Sequence, residues 1–301
     1  MTDQIPIPNE PEKSIFKILF NSFVIIPFLV AASLVFIYSL FSLLTYEDAT
    51  AYDYLNDIKI GGATKRWQSA FELSKILYIS DEISKDDRFI SEMINIFKQS
   101  KHDDNRVRQY LALAMGRTGN SRYIDPLLSE IEDENTENIP AIIRALGLLK
   151  SGKAVQKLKL FLDHEDENIR LQTVIAFGNI ADPTVIEDLK KSLYDSQPNI
   201  RWDAAISLAK IGDDSGREII LKLIEGKFFI NFPEVDIRER DQARIIAIRA
   251  GILLNDPIIN SKIQELADEE NNINIRKTAM DVLKIDTSSS NQWMEYDVSY
   301  G

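Results

Sequence analysis

A chain of 301 residues without a single cysteine offers few places for chemistry to start. Thiol catalysis, structural disulfides and thiolate-bound zinc are excluded, because each needs the missing sulfur. The two histidines, His102 and His164, stand in the acidic stretches KHDDN and DHEDEN. Neither has partners at metal-ligand spacing. Asp163, Glu165, Asp166 and Glu167 surround His164, but no glycine-centred calcium loop frames them, and they read as a solvated turn. A phosphate-cradling glycine loop, a nucleophile elbow and a His-carboxylate pair are all missing from the sequence. No catalytic, metal-binding or cofactor-binding residue is assigned, and neither a cofactor nor a small-molecule substrate is expected.

Aromatic side chains are the better candidates, because they anchor protein interfaces. Phe228, Phe229 and Phe232 crowd into GKFFINFPEVDI after Glu225, and Trp293 and Tyr296 lie in the serine-rich tail DTSSSNQWMEYDVSYG. All five are candidate partner-binding residues. The phenylalanine segment has two readings: a loop that docks a partner or touches lipid, and a plug folded onto its own repeat. The tail reads either as a linear binding motif or as a disordered terminus or a strap over the last hairpin.

The elements that would carry these residues follow from periodicity. Four segments align without gaps: NRVRQYLALAMGRTG from Asn105, TENIPAIIRALGLLKSG from Thr136, ENIRLQTVIAFGNIAD from Glu167 and PNIRWDAAISLAKIGD from Pro198. Gly116, Gly147, Gly178 and Ala209 hold equivalent places, each 31 residues after the last. Two positions earlier stand Ala114, Ala145, Ala176 and Ser207, small side chains that let stacked helices approach closely. Eight positions earlier stand Arg108, Arg170 and Arg201, with Ile139 as the exception; Arg66, Arg244 and Arg276 fill the same slot in outlying copies.

Each unit reads as a first helix of about 13 to 15 residues and a second of about 11 to 12, because apolar residues recur at helical spacing in both. Pro183 and Pro257 follow aspartates at the turn, where proline starts a helix well and cannot continue one. Pro140, near a helix start, is tolerated for the same reason. A single hairpin cannot bury its own apolar face, so neighbours must stack. The arginines read as an internal ladder pairing with acids such as Asp182 and Asp213 across neighbouring units; the alternative is a basic track for an anionic ligand.

The Asn-Ile-Arg entries at Asn168 and Asn199, the Ala-x-Gly core ends and the Asp-Pro turns resemble short HEAT-like repeats, of the type found in phycobilisome lyases and widespread in bacterial proteins. The resemblance runs from Gly62 to Asp286. It implies an all-α solenoid with a binding surface, and it admits a lyase-like enzyme as an alternative, since the family includes bilin-attaching enzymes beside scaffolds and assembly factors.

Ahead of the repeats, Ile18 to Leu44 contains no charged residue in 27 positions, enough for a helix that crosses a bilayer. A signal peptide has a shorter apolar core, and a buried helix this apolar needs a larger surrounding core than the repeats supply. Lys13 and Lys17 precede the segment, while Glu47, Asp48 and Asp53 follow it before Lys59, which points to an inside N-terminus and an extracytoplasmic repeat domain. The expected organisation is a tail over 1–17, a transmembrane helix over 18–44, a linker over 45–61, a solenoid over 62–286 with an insertion at 226–237, and a tail over 287–301. A formal charge of −12 disfavours nucleic acid, whose phosphates want a basic footprint. The function expected is that of a membrane-anchored, single-pass scaffold or adaptor holding a protein partner within a membrane complex.

Overall fold

The computed structural model describes residues 20–44, 49–77 and 85–284. The tail aromatics Trp293 and Tyr296 lie outside the described residues. Two units emerge, Met1–Thr50 and Ala51–Gly301.

In the first unit a short π-helical turn, Asn21–Ile25, leads into α1 (Ile26–Leu44). The stretch Phe23–Phe41 is long and apolar enough to cross a membrane, and none of it is buried within the protein. A signal sequence near an N-terminus would satisfy the same criteria of length and composition.

The second unit is helical in every regular element among the described residues. It opens with α2 (Ala51–Ile60), followed by six hairpins: α3 (Ala63–Ile76) with α4 (Asp87–Gln99), α5 (Asn105–Arg117) with α6 (Ile124–Glu130), α7 (Ile139–Leu148) with α8 (Val155–Leu158), α9 (Glu167–Ile180) with α10 (Ile186–Ser192), α11 (Pro198–Ile211) with α12 (Arg217–Ile224), and α13 (Ile237–Gly251) with α14 (Pro257–Glu269). A final α15 (Ile273–Lys284) lacks a described partner. The first helices α3, α5, α7, α9, α11, α13 and α15 pack each on the next, making one continuous layer. This is the all-α solenoid expected from the period of 31.

Residues 51–60 differ from the expected linker. Ala51, Leu55 and Ile58 are buried, and α2 packs on both α3 and α4, so this segment closes the end of the stack. Its apolar residues, three and four apart on one helical face, give it a core side that a linker would not need. The second helices also differ from an expected single run. Most begin as a 3-10 turn, as at Ser121–Tyr123, Gly152–Ala154 and Pro183–Val185, before widening into a short α-helix.

Aspartates start the helices. Asp166 accepts hydrogen bonds from the backbone N–H groups of Asn168 at 2.8 Å and Ile169 at 3.2 Å, and Asp86, Asp104 and Asp256 do the same for α4, α5 and α14. The insertion after Glu225 is a single 3-10 turn, Lys227–Asn231, followed by a short link to α13.

Candidate functional site

Two features of the first-helix layer bear on function: how its ends are held, and what its outer face presents. The slot arginines hold the ends. All but Arg244, which lies two turns into α13, sit near the first turn of a first helix, and each faces the turn that closes its own hairpin. Arg170 donates from Nε and Nη2 to Asp195 at 2.9 and 3.1 Å, and from Nη1 to the His164 carbonyl at 2.8 Å. Arg244 reaches Glu270 at 2.6 Å and the Ile224 carbonyl at 3.2 Å. Arg108 reaches Glu134, Glu130 and the Phe97 carbonyl, and Arg66 pairs with Asp103. Thus the acid comes from the arginine's own hairpin and the carbonyl from the one before.

The ladder therefore exists, but Asp182 and Asp213 are not its acids. They cap the second helices, accepting from the N–H groups of Thr184 and Ser215. These residues stand 12 positions beyond the arginine slot, about 18 Å along the helix at 1.5 Å per residue, at the opposite edge of the layer. Burial pushes the Asp195 carboxyl up, yet the Arg170 hydrogen bond and its neighbours hold it below the usual carboxylate range.

A second tie joins α12 to α14, where Arg217 clasps Asp256 through two hydrogen bonds of 2.7 and 3.1 Å. The guanidinium, helped by the N–H groups of Ile259 and Ile258, lowers the Asp256 pKa to about 2. An unfolded aspartate titrates near about 3.9. The contribution is therefore complete above that value and lost as the pH falls towards 2. Asp256→Asn keeps the cap but removes the charge, and is expected to lower Tm by a few degrees at pH 7. Thermal melts should show that gap closing between about pH 4 and pH 2. A gap unchanged across this window would mean that the ion pair contributes nothing.

The outer face of the layer carries a small groove open to solvent. Its walls come from α5, α7, α9, α11 and α13, five consecutive helices. Neighbouring helix axes lie about 8–10 Å apart, so one hollow can touch all five only where the layer curves inward. Arg117, Arg144 and Lys210 supply cations, while Leu148, Ile175, Ile206 and Ile246 supply apolar surface. Asn179 accepts from Lys210 Nζ at 3.3 Å, and Arg117 donates to the Ser74 carbonyl at 2.7 Å. One carboxylate, Asp203, is buried at the groove wall. Three cations beside one acid stand out in a chain of charge −12.

These lining residues fall in the registers one after, three before and six before the repeat marker. That i, i+3, i+7 spacing puts them on one helical face. The sequence contained this signal in its aligned columns, where Arg144 interrupts an otherwise apolar position.

The aromatic candidates fare differently. Phe228 and Phe229 are buried, packed edge to face on Trp202 with ring centroids 5.8 and 5.7 Å away. They pack into the core of their own hairpin, as the plug reading of this segment expects. Aromatic edges and faces attract, and burying three such rings outweighs leaving them wet. Phe232 is half-buried, under the guanidinium of Arg201 at 4.9 Å. Ile230 and Ile237 are exposed apolar residues of the insertion. His102 is exposed, His164 accepts from the Asp166 N–H at 3.0 Å, and no cluster of three potential metal ligands occurs among the described residues.

With the geometry established, comparison with known proteins adds a family. The sequence pattern of HEAT repeats matches residues 92–165 and 156–227. The middle of the solenoid, residues 92–227, is made of HEAT repeats. Among curated proteins, the bilin biosynthesis protein PecE of Nostoc sp. is 23% identical over 120 residues, covering 40% of this chain and 47% of that protein. The chain thus spans about half the length of that relative. Among solved structures, the complex of CpcE and CpcF of phycocyanin lyase from Nostoc sp. matches with a TM-score of 0.59 at 15% identity, covering 79% of this chain and 88% of the other. At that identity the likeness speaks for the HEAT-repeat fold.

Proposed function

We propose that the chain is a lyase-type HEAT-repeat protein that holds an amphipathic, carboxylate-bearing ligand in its groove while engaging a protein partner. The observation that carries this reading is the groove itself, which sets Arg117, Arg144 and Lys210 around an apolar floor. A linear tetrapyrrole has that complementary form, with an extended apolar body and two propionate groups, and carboxylates take charge-assisted hydrogen bonds from arginine and lysine. The likeness to a bilin biosynthesis protein and to one chain of a two-subunit lyase supports both halves of the proposal. It favours this reading over that of a purely non-enzymatic adaptor without a small-molecule substrate.

A membrane-anchored scaffold is the second reading, favoured by the wholly exposed apolar stretch Phe23–Phe41. In that reading the helix spans the bilayer, the N-terminus lies inside, and the repeats hold a membrane partner without chemistry of their own.

One preparation tests both. The full chain, recovered in detergent from carbonate-washed membranes, is titrated with biliverdin and followed by visible absorbance. Saturable binding is expected, weakened at least about tenfold in Arg144→Gln/Lys210→Gln. A pigment-free protein that still elutes with a stoichiometric partner would favour the scaffold. Loss of the chain from the washed membranes would remove the anchor from either reading.

A further inference from the structure

Among the described residues two rungs of the arginine ladder have no acid, Arg276, which still holds the Glu270 carbonyl at 3.0 Å, and Arg201, which holds neither acid nor carbonyl. Arg66, Arg108, Arg170 and Arg244 each meet a carboxylate from the turn closing their own hairpin. The separation is regular in three of them: 26 residues for Arg108 and Glu134, 25 for Arg170 and Asp195, and 26 for Arg244 and Glu270. Counted the same way from Arg201, the acid would fall at Gly226 or Lys227. The insertion thus puts a residue without a side chain, or a cation, where the pattern has an anion.

Arg201 makes neither the carboxylate nor the carbonyl contact of its counterparts. Its Nε is sealed from solvent without an acceptor, while the half-buried side chain as a whole keeps access to water. The Phe232 ring, 4.9 Å from the guanidinium carbon, takes the place of the counterion on one side. A ring face attracts a cation but accepts no directed hydrogen bond of carboxylate strength. The acid nearest in sequence to the vacant 226–227 position, Glu225, is paired with Lys227 at 2.9 Å.

We infer that the Arg201 rung is completed from outside the chain, by an aspartate or glutamate side chain of an acidic polypeptide that enters where the hairpin's own acid is missing. Polypeptide is the source because every intact rung is filled by a side-chain carboxylate. Ile230 and Ile237, 74% and 70% exposed, also follow the vacant acid position in sequence with apolar surface that a small free carboxylate would leave unused. This site lies apart from the groove and does not depend on the ligand proposed there.

Trp202 reports on the site, being buried beside Phe228 and Phe229 in the same hairpin. The full chain carrying Trp67→Phe and Trp293→Phe is titrated in detergent with an acetylated peptide of alternating glutamate and leucine, and in parallel with glutarate. Saturable change in Trp202 fluorescence is expected with the peptide. Arg201→Lys, which keeps charge and stem, should weaken it at least tenfold. Lys227→Glu should weaken it as much by supplying the internal acid, and should raise Tm. Equal binding by the parent and Arg201→Lys, or no saturable binding, would overturn the inference. Glutarate binding as tightly as the peptide would overturn the assignment to a polypeptide.

Discussion

Gly147→Val is expected to collapse the middle of the array. A Cβ at Gly147 would lie 2.8 Å from the Ala176 Cα and 2.9 Å from its Cβ, against 3.4 Å or more in an ordinary contact. These atoms belong to the backbone of α9 and to a side chain that cannot turn away, so the two helices must separate. The same collision faces Gly116, whose Cβ would meet the Ala145 Cα at 2.6 Å. Overpacking a dense core costs about 1–3 kcal/mol, and more where no side chain can yield. In a stack held together by nearest neighbours, that loss falls on one interface and divides the units before it from those after it. A cost of about 3 kcal/mol lowers Tm by roughly 6–12 °C in an array of this size. Circular-dichroism melts should show that fall or a split into two transitions, with Gly147→Ala in between. A valine variant melting within about 2 °C of the parent would mean the stack is looser than its geometry.

Arg108→Met is expected to cost about 3 kcal/mol of stability. The arginine is 1% exposed, lies over the Phe97 ring at 4.3 Å, and donates to Glu134, Glu130 and the Phe97 carbonyl. Methionine fills much of the same volume but leaves the Glu134 carboxylate, also 1% exposed, facing an apolar group. A buried charge without its partner is what makes such removals expensive, more than the loss of the pair itself. The double variant Arg108→Met/Glu134→Gln should then recover more than half of the loss, because glutamine can still accept from Asn138 and from the Asn135 N–H while carrying no charge. Chemical denaturation of the parent, both single variants and the double variant gives the coupling directly. A double variant no better than Arg108→Met would show that packing, not charge, sets the cost.

Both predictions rest on positions that the sequence marked. The interval of 31 fixed where a small residue must stand, because every unit repeats the same helix-to-helix contact and so the same steric limit. It also placed the arginines in one column. The apolar stretch Ile18–Leu44 needed no tertiary information, since length and composition alone decide whether a helix can cross a bilayer.

What the column of arginines meets was not legible. Partners depend on which turn lies beside the arginine of each helix, and that is set by how hairpins close in space. Hence Glu134, Asp195 and Glu270, not Asp182 and Asp213, complete the rungs. The phenylalanines of the insertion were likewise undecided in sequence, because an apolar loop looks the same whether it covers a partner or its own core. Only the placement of Trp202 beside Phe228 and Phe229 decided for the core. The groove was half-legible: its residues share a helical face, which the sequence determines. Their convergence on one hollow needed the curvature of five stacked helices, a property that belongs to the assembled layer and to no single repeat.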